Sequence, residues 1–311
     1  MTLEYKNKHK FSKIVRMWLE ANDYDHHPGT RSASALIAPV RKTILYERHP
    51  DELDVDYEDL IAPRYGDALH ASLEKVFKGK KGFDTERRMF GNVHIDGPAY
   101  IISGKFDLLV KQPQNKLHLW DGKSTSAWGI IYGSHKADWS KQISIYRWLI
   151  YNDPHYENWS VDDVANIFAW CTDWQRSRAK QSKDYPATRV VEMTVDLMPY
   201  EETEAFIKER LRGLLQAEKL QDQNLPYCTN EELWKDPDEY AVMKEGRKSA
   251  VRAHFKSEEE CNEFIATVTK DQDKHYIEAR PSKARRCGYC GARPVCHQYR
   301  ELKAQDLIEE D

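Results

Sequence analysis

Ile101–Gly129 reads IISGKFDLLVKQPQNKLHLWDGKSTSAWG. Two mostly apolar runs, Ala99–Val110 and Lys116–Asp121, flank a polar Gln-Pro-Gln-Asn turn, which predicts a β-hairpin. Asp107 interrupts the first run. Asp121 and Lys123 end the second, two residues apart, so on a strand they share a face. The 14-residue separation of Asp107 and Asp121 suits adjacent antiparallel strands joined by a short turn. A carboxylate facing a second carboxylate and a lysine across a hairpin is costly to bury without a partner. A divalent cation such as Mg²⁺, which takes oxygen ligands, is a partner that makes the arrangement favourable.

Outward from this segment the chain alternates helices and strands. Helical patterns cover 9–22 (Phe11, Ile14, Val15 and Leu19 on one side), then Ser32 to about Arg48, and Tyr65–Phe77. A break at His26-His27-Pro28-Gly29 separates the first two. Strands are expected at Thr85–Ile95, Ala99–Val110 and Lys116–Asp121, then a helix over 138–151. Strands follow at Val164–Cys171 and Arg189–Val195, and a long amphipathic helix at Pro199–Leu220. This order predicts an α/β fold, with a mixed central sheet flanked by helices. From Leu225 the texture changes. Cys228–Trp234 reads as a capped short helix, Tyr240–Met243 with Ser249–Phe255 as a small hairpin, and Ser257–Glu260 as a capping box opening another helix. Two domains are therefore expected: 1–224, and a small basic, cysteine-rich subdomain at 225–311.

Composition sets the bounds. The 311 residues are 40% hydrophobic and 32% charged, with no apolar run long enough to span a membrane. The N-terminal MTLEYKNKHKFSK has no apolar signal core, so a cytoplasmic location is expected. The net charge of −4 does not by itself point to nucleic acid. The relevant field is local, however, and the stretch 241–300 is basic, with Lys244, Arg247, Lys248, Arg285 and Arg286 as candidate phosphate contacts.

Singly, each chemical feature has an ordinary explanation. His70 on a helix reads as a core or surface histidine, Asp121-x-Lys123 as a surface ion pair, and Gln142 with Tyr146 as a polar helix face. Trp120, Trp128, Trp139 and Trp148 read first as core packing and second as stacking platforms for single-stranded bases. Jointly, Gly66-x-x-x-His70, Gly104-x-x-Asp107, Asp121-x-Lys123 and Gln142-x-x-x-Tyr146 form an ordered set on helix, strand, strand and helix. This set resembles the PD-(D/E)XK nuclease superfamily, nearest its RecB-like branch, which includes CRISPR-associated and phage exonucleases carrying an iron–sulfur cluster. Segments at Ser32–Arg48, Cys228–Trp234 and YAVMKEGRKSAVRAHF are similar to phage-type members.

The resemblance implies a restriction-endonuclease-like core over roughly 30–220 and metal-assisted hydrolysis of DNA. Asp107 and Asp121 would hold Mg²⁺ or Mn²⁺, with His70 and the Gly122 carbonyl as further ligands. Lys123 would orient or deprotonate the attacking water, and Gln142 and Tyr146 would hold the strand beside the scissile phosphate. Arg41 occupies the place of an arginine near the cluster in such nucleases and is a further candidate DNA contact. Phe106 stands where the superfamily's naming proline stands, and Asp121 where glutamate is common.

Cys287-x2-Cys290-x5-Cys296 has metal-ligand spacing. Related nucleases usually take a fourth ligand from an N-terminal helix, but Leu36–Arg41 contains no cysteine. Cys228 is the expected replacement, with His297 as the second choice. Four thiolates suit a 4Fe–4S cluster or, alternatively, Zn²⁺, acting as a structural staple. Cys171 and Cys261 read as structural. The expected function is thus a DNA exonuclease of phage recombination, replication or repair, with proteins of those processes as partners. The rivals are a partner-dependent DNA-processing factor and a structure-specific endonuclease.

Overall fold

A computed structural model describes residues 4–21 and 27–309. Asn22, at the end of the first expected helix, and His26 lie outside the described residues. The chain forms two compact units. The larger comprises Glu4–Thr43 and Val55–Lys219, and the smaller comprises Ile44–Asp54 with the chain from Leu220 onward.

In the larger unit, the expected hairpin strand Ala99–Val110 is two strands. Ala99–Lys105 pairs with Arg88–His94 and, in parallel, with Thr30–Ser32. Leu108–Gln112 pairs instead with Lys116–Thr125 and Phe83–Thr85. The chain changes sheets at Phe106-Asp107, and Phe106 is fully buried there. The expected strand Thr85–Ile95 is likewise split, at Glu86 and Arg87. Lys116–Thr125 runs parallel to Val164–Cys171, whose other neighbour is the antiparallel Val190–Asp196. The fold is therefore mixed α/β, with helices against mixed sheets.

The parallel pair requires a crossover, and helix Lys136–Tyr151 supplies it. This helix is buried almost all round from Ile143 to Ile150, as a helix apolar on every side must be. It packs against helix Tyr200–Ala217 and both longer strands of the three-stranded sheet. Two glycines permit the close approach. A Cβ at Gly91 would lie 2.4 Å from Trp148, and one at Gly104 would lie 2.6 Å from Leu149 and 3.0 Å from Tyr146. Gly104→Ala is therefore expected to cost about 1–3 kcal/mol through overpacking. Urea denaturation measures this, and an unchanged midpoint would contradict the packing. Ala127–Tyr132 forms a separate short helix before the crossover, ended by Gly133 in the left-handed region.

Helix Ile61–Phe77 starts four residues earlier than the sequence pattern suggested, after a 3₁₀ turn at Tyr57–Leu60 capped by Asp56. It lies against strand Lys116–Thr125, where Gly122 leaves room for Leu69 and Leu73. The expected helix from Ser32 to Arg48 breaks into Ala33–Ile37 and Val40–Arg48 around Pro39.

The smaller unit has a sheet in the order Arg252–Phe255, Glu239–Lys244, His275–Arg280. The sequence reading lacked the third strand. Helix Glu258–Ala266 starts at the expected capping residue, Ser257. Thr229 and Glu232 do form reciprocal capping bonds, but the segment after them is a turn rather than a helix. No helix among the described residues is long and apolar enough to cross a membrane.

Candidate active site

The break at Phe106-Asp107 places the Asp107 carboxylate where helix, strand and sheet edge converge. Its Oδ2 accepts the Gly122 amide at 2.6 Å, and its Oδ1 meets His70 Nδ1 at 2.9 Å. His70 projects from helix Ile61–Phe77 and Asp121 from the neighbouring strand. Asp107 and Asp121 are 5% and 3% exposed, so both carboxylates are taken almost wholly out of water. From Asp121 a polar chain runs to the crossover helix. Lys123 Nζ lies 2.6 Å from Asp121 Oδ2 and donates to Gln142 Oε1 at 2.8 Å, and Gln142 Nε2 donates to the Tyr146 hydroxyl at 2.7 Å. Gln142 and Tyr146 meet because positions four apart share a helix face.

The electrostatics follow from this burial. Burial pushes the Asp121 carboxyl up to about 6; the Asp107 charge adds to the rise and Lys123 opposes it. Burial lowers His70, but the Asp107 bond and the Asp121 and Glu86 charges outweigh it, so His70 is raised overall. Burial, then the Asp121 and Asp107 charges, push the Tyr146 hydroxyl well above its ordinary value, so it stays protonated as a donor. Asp121 Oδ2 has its lysine contact but no hydrogen bond of good geometry. A buried oxygen in that condition, beside a second carboxylate, fits a site built for a cation.

Sequence reading missed Glu86. Its carboxylate, His70 and Asp107 offer ligand atoms within 4.8 Å of one another. Glu86 takes a left-handed backbone, φ 50°, and its amide bonds the Asp107 carbonyl at 3.2 Å, so the two chain breaks brace each other. Such a conformation in a non-glycine residue costs about 1–2 kcal/mol and clusters at functional sites. Lys105 pairs with Glu86. The signal was the run Asp84-Thr-Glu-Arg-Arg88, whose charges do not suit one continuous half-buried strand. These groups line a half-open cavity of about 440 Å³, together with Arg88, Gln142 and Tyr146.

The other expected residues are distributed differently. Arg41 is 2% exposed and so presents no guanidinium to a surface ligand. Lys244 pairs with Asp271, Arg285 with Asp236, and Arg247 donates to Ser249. Arg286 lies over the Trp234 ring and donates to the Glu232 carbonyl. Lys248 is exposed. Trp139 and Trp148 are core residues, whereas Trp128 is 42% exposed.

The four expected cysteines lie in the smaller unit, and none of them is in a disulfide. Burial pushes Cys228 up to about 12, and the charges of Glu232 and then of Cys296, Cys287 and Cys290 add to the rise. Cys228 and Cys287 pack against one apolar cluster of Leu233, Ala284 and Ile308. Burial likewise pushes Cys287 up to about 12. Gln298, itself buried, holds Cys228 from both sides: the Cys228 amide donates to its Oε1 at 2.8 Å and its Nε2 donates to the Cys228 carbonyl at 3.0 Å. His297 pairs with Glu301, while Cys171 and Cys261 are buried apart in apolar clusters.

The sequence model of the PD-(D/E)XK nuclease superfamily matches residues 24–297. A CRISPR-associated exonuclease Cas4 of Saccharolobus solfataricus is 29% identical over 109 residues, 35% of this chain and 52% of that protein. The chain thus spans about half the length of that relative. Among solved structures, the crystal structure of SSO0001 aligns with TM-score 0.44 and 17% identity, over 64% of this chain and 84% of that one. A phage related exonuclease from Haemophilus somnus aligns with TM-score 0.33 and 15% identity, over 68% and 87%.

Proposed function

The chain belongs to the PD-(D/E)XK nuclease superfamily, and from that premise we propose that it is a Mg²⁺- or Mn²⁺-dependent deoxyribonuclease acting as an exonuclease. The observation that carries the reading is the buried Asp107–Asp121 pair, with Lys123 at 2.6 Å from Asp121 and His70 at 2.9 Å from Asp107. His70, Asp107, Asp121 and the Gly122 carbonyl would hold the ion, and the proximity of Glu86 supports adding it to this set. A bound divalent ion supplies charge neutralisation of the phosphate and activation of water.

The residues of the chain do the rest. Lys123, held in place by its bond to Gln142, orients or deprotonates the attacking water. The Tyr146 hydroxyl, accepting from Gln142, keeps its proton to offer to the strand. Asp107 locks the Gly122 amide and the His70 ring, so neither reorients during the reaction. The products are a 5′-phosphate and a 3′-hydroxyl. The Cas4 relative supports exonuclease over endonuclease, and a role within a DNA-processing complex is the second reading. The phage setting rests on the resemblance of the Ser32–Arg48 and Tyr240–Phe255 segments.

Cys228, Cys287, Cys290 and Cys296 would hold a 4Fe–4S cluster, with Zn²⁺ as the alternative, stapling the 225–311 subdomain to itself. The packing of Cys228 and Cys287 against one apolar cluster and the Gln298 clamp on Cys228 support this.

The test is cleavage of single- and double-stranded DNA labelled at either end, with Mg²⁺, Mn²⁺ or EDTA. Metal-dependent shortening from one end is expected. Lys123→Ala should lose about 10²-fold or more while melting as the wild type does. Full activity in that variant, or cleavage in EDTA, would overturn the reading.

A further inference from the structure

We infer that a second cavity in the larger unit, between Tyr65 and Trp170, receives an unpaired nucleobase of the substrate strand. The inference rests on the nuclease reading and extends it to the binding of the strand. Helix Ile61–Phe77 divides the two cavities. Its residues Asp67, His70, Ala71 and Glu74 line the carboxylate cavity, whereas Tyr65, Ala68, Leu69 and Ser72 line the second, as the helical period requires. The strand divides them as well. Lys123 points to the first and Ser124 to the second. Trp170 is the register partner of Ser124, so its ring stands on the same face.

The second cavity measures about 420 Å³ and is half open. Tyr65 on its helix wall is 51% exposed and Trp170 on its strand wall is 41% exposed. Two large rings left that far in water at one cavity mouth have a use for a planar ligand. Arg189 completes the lining, and its guanidinium lies 5.8 Å from the Trp174 ring centre. The same motif recurs beyond it. Arg178 lies over Trp128 at 5.5 Å, and Trp128 stacks with Tyr132 at 6.0 Å.

The segment 173–189 carries Arg176, Arg178, Lys180, Lys183 and Arg189 against only Asp173 and Asp184. Ring faces interleaved with cations, and few carboxylates, suit a polyanion with planar bases. The base must be unpaired, because both faces of a paired base are already stacked in the duplex.

The test is equilibrium binding of a short end-labelled single strand in EDTA, where cleavage is suppressed. Trp170→Ala, or Tyr65→Ala should the first fold poorly, is expected to weaken binding about 10-fold. Trp170→Phe keeps a stacking face and should stay within about 3-fold. One abasic nucleotide at the right position should cost the wild type a similar factor, and Trp170→Ala almost nothing. Duplex binding should be unaffected by either alanine variant. Unchanged single-strand binding in both would overturn the assignment, as would equal losses for single strand and duplex. If the wild type still shortens DNA in those cases, the nuclease reading stands and only the base site falls.

Discussion

Asp121→Asn is expected to abolish cleavage, by at least about 10³-fold, while leaving the protein as stable as the wild type or more so. The two effects share a cause. Burial raises the Asp121 carboxyl from 3.8 to about 6. A carboxyl raised in the fold binds its proton more tightly there than in the unfolded chain. Its ionisation therefore opposes folding as the pH climbs above about 4, and the full penalty applies above about 6. Asparagine removes that charge at nearly constant volume, and Lys123 keeps its bond to Gln142. Part of the gain is lost with the Lys123 ion pair, so a net stabilisation of about 1–2 kcal/mol is expected in EDTA. Added Mg²⁺ should then raise the melting temperature of the wild type and not that of the variant. Thermal melts with and without Mg²⁺ read both effects. A variant that melts lower in EDTA, or one that still responds to Mg²⁺, would contradict the site.

Cys290→Ser and Cys228→Ser should each strip the bound metal from the smaller unit and destabilise it by several kcal/mol. Four-thiolate sites contribute on the order of 10 kcal/mol to folding, and a lost ligand forfeits a large part of that. Equal behaviour of the two variants is the informative result. Cys290 lies within the Cys287–Cys296 motif, whereas Cys228 is distant in sequence and joins it only through the fold. Metal analysis of the purified proteins, with the visible spectrum, separates iron from zinc. Full metal content in Cys228→Ser, alongside its loss in Cys290→Ser, would place the fourth ligand elsewhere.

The larger elements and the reactive residues were legible because their signals are local. His70, Asp107, Asp121, Lys123, Gln142 and Tyr146 were singled out because their short motifs, taken in order, resemble the nuclease superfamily, and the structure brings them to one cavity. The sheet change at Phe106-Asp107 was not legible. Strand-like residues continue on both sides of it, and nothing in the pattern of a strand says which neighbour it pairs with. Glu86 was hidden for the same reason, inside what read as one strand. Strand His275–Arg280 lacks a strong alternation, and its pairing with Glu239–Lys244 bridges some thirty residues. The grouping of Ile44–Asp54 with the chain beyond Leu220 is a contact between distant segments, which periodicity does not record. The basic residues at 244–286 suggested a phosphate track. Asp236 and Asp271 neutralise part of it, and charge counting along a chain does not see partners across a turn.

On the proposed reading, Asp107 and Asp121 share one catalytic divalent ion. Anomalous scattering at the manganese edge, from crystals grown with Mn²⁺, locates that ion. One strong peak is expected about 2 Å from an oxygen of each carboxylate, absent in Asp121→Asn crystals. A manganese-free cavity in protein that still cleaves DNA with Mn²⁺, or an undiminished peak in the variant, would contradict it.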